Sequence, residues 1–183
     1  MIKTVKQACE FNPIINDYRM AQGIENLADL IADEGDGREF FKRNYVTRGM
    51  EQLFREGMLR LSGLSDQAVF ELNQAMGGGK THMMTALGLL ARHGHLREAV
   101  LPEDLSSRLD FSSARLAAFN GRNTPDHYIW GEIASQLGKE NEIKPFWVNG
   151  PKPVDQATWE SIIGDEPTLI LLDEIPPYLD QAS

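Results

Sequence analysis

Apolar residues recur at helical spacing twice in the first third of the chain. After Pro13, the residues Met20, Ile24, Leu27 and Ile31 fall on one face of a segment reaching to about residue 33. This three-and-four periodicity predicts an amphipathic helix, and proline is tolerated in a first helical turn. Residues 34–37 end it as a loop. A second helix is predicted over residues 49–61, with Met50, Leu53, Phe54, Met58 and Leu61 as its apolar face and Ser62-Gly63 closing it.

The period then changes. Residues 67–73 contain Ala68-Val69-Phe70-Glu71-Leu72, a short run with strand character that leads into Gly77-Gly78-Gly79-Lys80-Thr81. A helix is predicted over 80–92, with Met83, Met84, Leu87 and Leu90 on one side, ended by His93-Gly94. A strand follows over 116–119, stopped by Asn120-Gly121. The next helix spans about 126–137, with Ile129, Trp130, Ile133 and Leu137 inward and Gly138 as its C-terminal stop. Residues 139–158 hold Pro145, Pro151 and Pro153 and read mostly as loop. A short helix over 156–163 precedes Thr168-Leu169-Ile170-Leu171-Leu172-Asp173-Glu174, whose unbroken apolar run predicts a strand buried on both faces. Strands alternating with helices predict an α/β fold with a parallel sheet over 63–183, preceded by a helical region over 1–62.

Composition narrows the classes. Across 183 residues, 42% are hydrophobic and 25% charged, enough apolar surface for a packed core. With 18 basic and 27 acidic residues the net charge is -9. That argues against gripping nucleic acid or an anionic membrane through bulk charge, although a local basic groove stays open. One cysteine, Cys9, cannot form an internal disulfide, which fits a reducing compartment. With neither a signal-like segment nor a long apolar run, the expectation is a cytoplasmic protein with no membrane contact.

The chemistry concentrates at two places. A strand, a glycine-rich turn and a helix start would put backbone N–H groups around an anion. Lys80 would set its ammonium on the β- and γ-phosphates, and Thr81 would offer its hydroxyl to Mg²⁺. The pattern G-x-x-x-x-G-K-[ST] asks for glycine where this chain has Gln74, while Gly77 and Gly78 enrich the middle of the loop. At the end of the later strand, Asp173 can hold Mg²⁺ directly or through water, and Glu174 can orient and deprotonate an attacking water. Neighbouring residues on a strand point oppositely, so these roles separate only if the backbone turns after Asp173. Pro176-Pro177 are expected to force an exit from regular structure.

Together the two motifs resemble the Walker A and Walker B elements of a P-loop NTPase. The pair Asp173-Glu174 resembles the branch with a catalytic glutamate, which includes the AAA+ ATPases. More closely, Leu72-Asn-Gln-Ala-Met-Gly-Gly-Gly-Lys-Thr-His-Met-Met84, Trp130-Gly-Glu-Ile-Ala-Ser-Gln-Leu-Gly138 and Leu171-Leu-Asp-Glu-Ile-Pro-Pro-Tyr-Leu179 resemble one set of large prokaryotic ATPases of AAA+ type. That set is known as a domain of unknown function, and its genes tend to lie beside DNA methyltransferases and helicases in anti-phage islands. The likeness covers about residues 40–183 and is most specific at the loop with His82 after Thr81.

The resemblance implies an ATPase using ATP and Mg²⁺. Its nucleotide would lie on Ala75, Met76, Gly77, Gly78, Gly79, Lys80, Thr81 and His82. Val46 and Thr47 would line the adenine pocket, although Thr47 also reads as an ordinary helix cap. Thr81 and Asp173 would hold the metal, with Lys80 and Glu174 as the catalytic pair. The resemblance also implies two strands after the second motif, one of them lying between the two motif strands. A sensor residue would come with them, and a neighbouring subunit would supply an arginine finger. The chain therefore reads as the N-terminal piece of a longer ATPase or as a truncated product, with little turnover by itself. DNA or a DNA-modification complex would be engaged through the absent portion. A nucleotide-dependent assembly switch is the alternative, and a P-loop kinase a weaker one. Among lesser signals, His93-Gly94-His95 reads as a surface turn rather than a zinc site. Asn120 and Arg122 are candidates for contact with substrate or a partner subunit. Trp130, Phe146, Trp147 and Trp159 read as packing aromatics.

Overall fold

The computed structural model describes residues 27–32, 37–73, 79–123, 127–148 and 151–182. It is a mixed α/β fold: a helical N-terminal region and a two-stranded parallel sheet. Most of the helix expected over 13–33 lies outside the described residues, but its end, α1 (Leu27–Ala32), is helical with Leu27 and Leu30 buried. Helix α2 (Arg38–Arg43), which the apolar pattern did not predict, follows Gly37. Helix α3 (Arg48–Leu61) begins at Thr47, whose side chain accepts from the N–H of Met50, an N-cap of the usual kind. It ends at Gly63 with φ +69°. There Leu64 N–H donates to Leu59 O and Gly63 N–H to Arg60 O, the paired bonds of a Schellman cap.

Helix α4 (Lys80–Arg92) is the centre of the molecule. Residues 83–91 are all buried, so it is apolar all round rather than on one stripe, as expected of a helix enclosed by other elements. Gly88 lets α1 approach it, because a Cβ there would meet Leu30 at 2.3 Å. Helix α3 packs on it through Gly57 and Leu87. Helix α5 (Gly94–Val100) follows after His93 alone, and α6 (Glu103–Ser106) after that. The bend between α4 and α5 is tied by Arg97, which is buried. Its guanidinium donates to the carbonyls of Leu90, Ala91, Phe111 and Ser112 and lies over the Phe111 ring.

Strand β1 (Arg115–Asn120) pairs in parallel with β2 (Thr168–Asp173), in register from Arg115 opposite Thr168 to Asn120 opposite Asp173. Leu116, Ala118, Leu169 and Leu171 face the cluster built around α1, α3 and α4. Ala117 and Ile170 face a second cluster with Ile133, Ala134, Leu137, Ile143 and Ile162. That cluster comes from α7 (Tyr128–Gln136), α8 (Glu140–Ile143) and α9 (Gln156–Ile163), and Trp130, Phe146, Trp147 and Trp159 pack on its border. Helix α7 ends in a second Schellman cap at Gly138, with Lys139 N–H on Ala134 O. On the edge of β1 that has no strand partner among the described residues, the Gln136 amide both accepts from Ala118 N–H and donates to Ala118 O. It supplies the two bonds a further strand would make there.

Four expectations are corrected. Residues 67–73 form no strand: Val69 is 80% exposed, while Phe70 and Leu72 rest against the core. The alternation of a strand is present, but a ladder needs a partner, and no strand pairs with this segment among the described residues. Strand β2 is not buried on both faces, because Leu172 is 45% exposed. Pro176 and Pro177 do not end regular structure. They occupy the first turn of α10 (Ile175–Ala182), where N–H groups have no helical acceptor to lose. Residues 139–158 are not mostly loop at their start, since α8 is followed by a 3₁₀ turn, Lys144–Phe146, with Pro145 in its opening positions. Among the described residues no helix is long and apolar enough to cross a membrane.

Candidate functional site

Parallel pairing places Asn120 and Asp173 side by side at the carboxyl ends of both strands, the edge where open α/β sheets bind ligands. Helix α4 points its N-terminus at the same place. The Thr81 hydroxyl donates to Asp173 Oδ2 at 2.5 Å, joining residues 92 positions apart. Asp173 is only 6% exposed, and a buried carboxylate must find donors. Its second oxygen accepts from the Glu174 N–H at 3.0 Å. Thr81 is held in turn by its helix, since Thr85 Oγ1 donates to Thr81 O at 2.9 Å.

The backbone does turn after Asp173. Glu174 has φ +52°, a left-handed conformation uncommon for a residue with a side chain. The turn is locked to the loop after β1. Gly121 N–H donates to Asp173 O at 2.8 Å. A Cβ on Gly121 would sit 1.9 Å from Glu174 O, so only glycine fits. Arg122 follows. Its N–H donates to Asn120 Oδ1 at 3.0 Å, and its guanidinium pairs with Glu174 Oε1 at 3.2 Å. Tyr178 of α10 braces the same end: its hydroxyl accepts from Ile129 N–H at 3.1 Å, and its ring meets Phe119 edge-on.

Five of the site residues expected from sequence stand close in the chain or in space: Gly79, Lys80, Thr81, Asp173 and Glu174. Gly79 has φ +77° and caps α4, which requires the freedom of glycine. Lys80 is the first residue of α4. Ala75, Met76, Gly77 and Gly78 lie outside the described residues, as does Gln74. His82 stacks on Phe40 of α2 with ring centroids 4.6 Å apart, and burial holds its pKa below the ordinary value. Burial thus favours its neutral form. Val46 lines a cavity of about 730 Å³ with residues of α3 and the α5–α6 junction; neither Lys80 nor Asp173 is in that lining. Thr47 uses its hydroxyl as the α3 cap.

Sequence reasoning missed one member and the partner of another. Gly121 read only as a strand stop, because a glycine required by close approach looks in sequence like any turn glycine. Arg122 was considered for substrate or partner contact, and the structure sets it against Glu174. Its partner belongs to another strand end, which spacing cannot reveal.

The donor set suits a hard divalent cation. A hydroxyl and a carboxylate oxygen already touch, and Mg²⁺ characteristically takes one or two carboxylates and completes its shell with phosphate oxygens and water. Among the described residues no group of three or more His, Cys, Asp or Glu side chains gathers as an all-protein metal site.

Residues 21–105 match the family model described as DUF499 N-terminal domain. This supports the resemblance to an uncharacterised family. The matched stretch contains Val46, Thr47 and the Gly79–Thr81 turn and stops before β1. No curated protein and no solved structure matches the chain.

Proposed function

We propose that the chain binds Mg²⁺-ATP at the junction of Thr81 and Asp173 and belongs to an ATPase of the P-loop, AAA+ type. The observation that carries this reading is the 2.5 Å contact between Thr81 and Asp173. Two motifs far apart in sequence, each a candidate to hold a metal, supply touching oxygens next to a helix N-terminus that favours phosphate.

In this reading, the backbone of the loop and Lys80 bind the phosphates. Thr81 and Asp173 hold Mg²⁺, which when bound offsets charge on the phosphate oxygens. Glu174 orients the attacking water and takes its proton. The DNA-linked remodelling output, a cytoplasmic setting and the subunit that supplies an arginine finger rest on the family resemblance. A second reading, a switch that binds ATP and hydrolyses it little, gains support from one observation: the Glu174 carboxylate is engaged by Arg122.

Calorimetric titration with Mg²⁺-ATP tests the site. Lys80→Ala should abolish binding. Glu174→Gln should keep it, while removing whatever phosphate release the wild type shows. Equal affinity of wild type and Lys80→Ala would refute the site. Equal phosphate release with and without Glu174 would favour the switch.

A further inference from the structure

We infer that Arg122 is a γ-phosphate contact supplied by the chain itself, held in waiting on Glu174 and transferred to a nucleoside triphosphate when one binds. The inference rests on the nucleotide reading above and adds a residue that the reading does not use.

Three contacts in series tie the guanidinium to the candidate metal position. Arg122 pairs with Glu174 at 3.2 Å, Glu174 N–H with Asp173 Oδ1 at 3.0 Å, and Asp173 Oδ2 with the Thr81 hydroxyl at 2.5 Å. The foot of the arginine is fixed. Its own N–H is bound by Asn120 Oδ1, and the preceding Gly121 N–H is bound by Asp173 O. The same turn therefore positions both Asp173 and Arg122. The head is not fixed: the Arg122 side chain is 70% exposed and that of Glu174 42%.

An ion pair between groups this exposed is weak and easily exchanged. A terminal phosphate carries more charge than a single carboxylate and offers the bidentate oxygens a guanidinium prefers. A triphosphate arriving at Thr81 and Asp173 would thus take the arginine. It would leave the Glu174 carboxylate free of its cation, so arrival of the γ-phosphate and release of the candidate base become one event. A diphosphate lacks the group that takes the arginine.

The test is calorimetric titration of the full chain with Mg²⁺-ATPγS and with Mg²⁺-ADP, for the wild type, Arg122→Ala and Arg122→Lys. Because the side chain is mostly solvated, both variants should keep the wild-type circular dichroism and melting temperature. Arg122→Ala should weaken ATPγS binding about tenfold, the usual scale of one lost charged hydrogen bond, and leave ADP within about twofold. Arg122→Lys should retain part of the difference. Glu174→Gln, which frees the arginine, should tighten ATPγS binding about threefold, and the gain should vanish in an Arg122→Ala background.

An unchanged ATPγS-to-ADP ratio in Arg122→Ala overturns the inference alone, provided that the wild type binds nucleotide and Lys80→Ala does not. A wild type that binds neither nucleotide overturns the nucleotide reading and this inference with it.

Discussion

Gly121→Ala should be among the most damaging single-methyl changes the chain can suffer. The added Cβ would stand 1.9 Å from Glu174 O, 2.7 Å from Glu174 C and 3.1 Å from Ile175 Cα, all backbone atoms. No rotamer relieves such a contact. Restoring ordinary van der Waals separation means moving the carbonyl by about 1.5 Å, which breaks the Gly121–Asp173 hydrogen bond and disturbs the left-handed turn at Glu174. The upper part of the overpacking range, about 3 kcal/mol, is expected. Two other glycines provide the scale. At Gly88 the new methyl meets Leu30 Cδ2 at 2.3 Å. That is the end of a flexible side chain, and alanine's helix preference offsets part of the clash, so a net loss of about 1 kcal/mol is expected. At Gly49 in α3 nothing lies within 4 Å, and alanine should stabilise by about 0.5 kcal/mol. Urea unfolding followed by circular dichroism measures all three. The ranking Gly121, Gly88, Gly49 is the claim. A Gly121→Ala protein within about 0.5 kcal/mol of wild type would refute the close approach of the two strand ends, and the site built on it.

Other expectations follow from the same geometry. Arg97→Met should cost about 4 kcal/mol, because four carbonyls lose their donor in a buried setting and a methionine stem cannot replace it; chemical denaturation reads this directly. Gln136→Met should cost about 2 kcal/mol, since both backbone groups of Ala118 lose their partner, and hydrogen exchange at Ala118 N–H should quicken. Burial lowers the His82 pKa below 6.5, so the unfolded chain binds this proton more readily than the folded one. Stability should therefore fall as pH drops below 6.5 and level off once pH is beneath the folded-state value. His82→Phe keeps the stack on Phe40 and should flatten that part of the curve. An unchanged slope between pH 7 and 5 would show that His82 does not contribute.

The candidate site was legible in sequence as residue types at two separate positions. Thr81 and Asp173 were named from motif chemistry alone, and the requirement that the chain turn after Asp173 followed from strand geometry. The φ of +52° at Glu174 meets that requirement. Asn120 and Arg122 read from sequence as candidates at the same sheet edge, but spacing could not supply the contact of the Asn120-Gly121-Arg122 turn with Glu174. That contact depends on β1 and β2 lying in register.

Elements whose stability is local were determined by the sequence itself. The α4 and α9 helices run over the bounds expected for them, 80–92 and 156–163, and the glycine stops at Gly63 and Gly138 match their Schellman caps, because these structures satisfy their hydrogen bonds within a few neighbouring residues. Elements whose stability depends on a distant partner were decided only by tertiary structure. Residues 67–73 have the alternation of a strand but no ladder, and Leu172 has the apolar character of a core residue but stands half-exposed. Pro176 and Pro177 break structure in isolation but sit without cost in a first helical turn, which Tyr178 helps dock against Phe119. A side chain carries its own propensity wherever the chain goes. Whether a strand has a neighbour, or a carboxylate an arginine, depends on which distant segments the fold brings together.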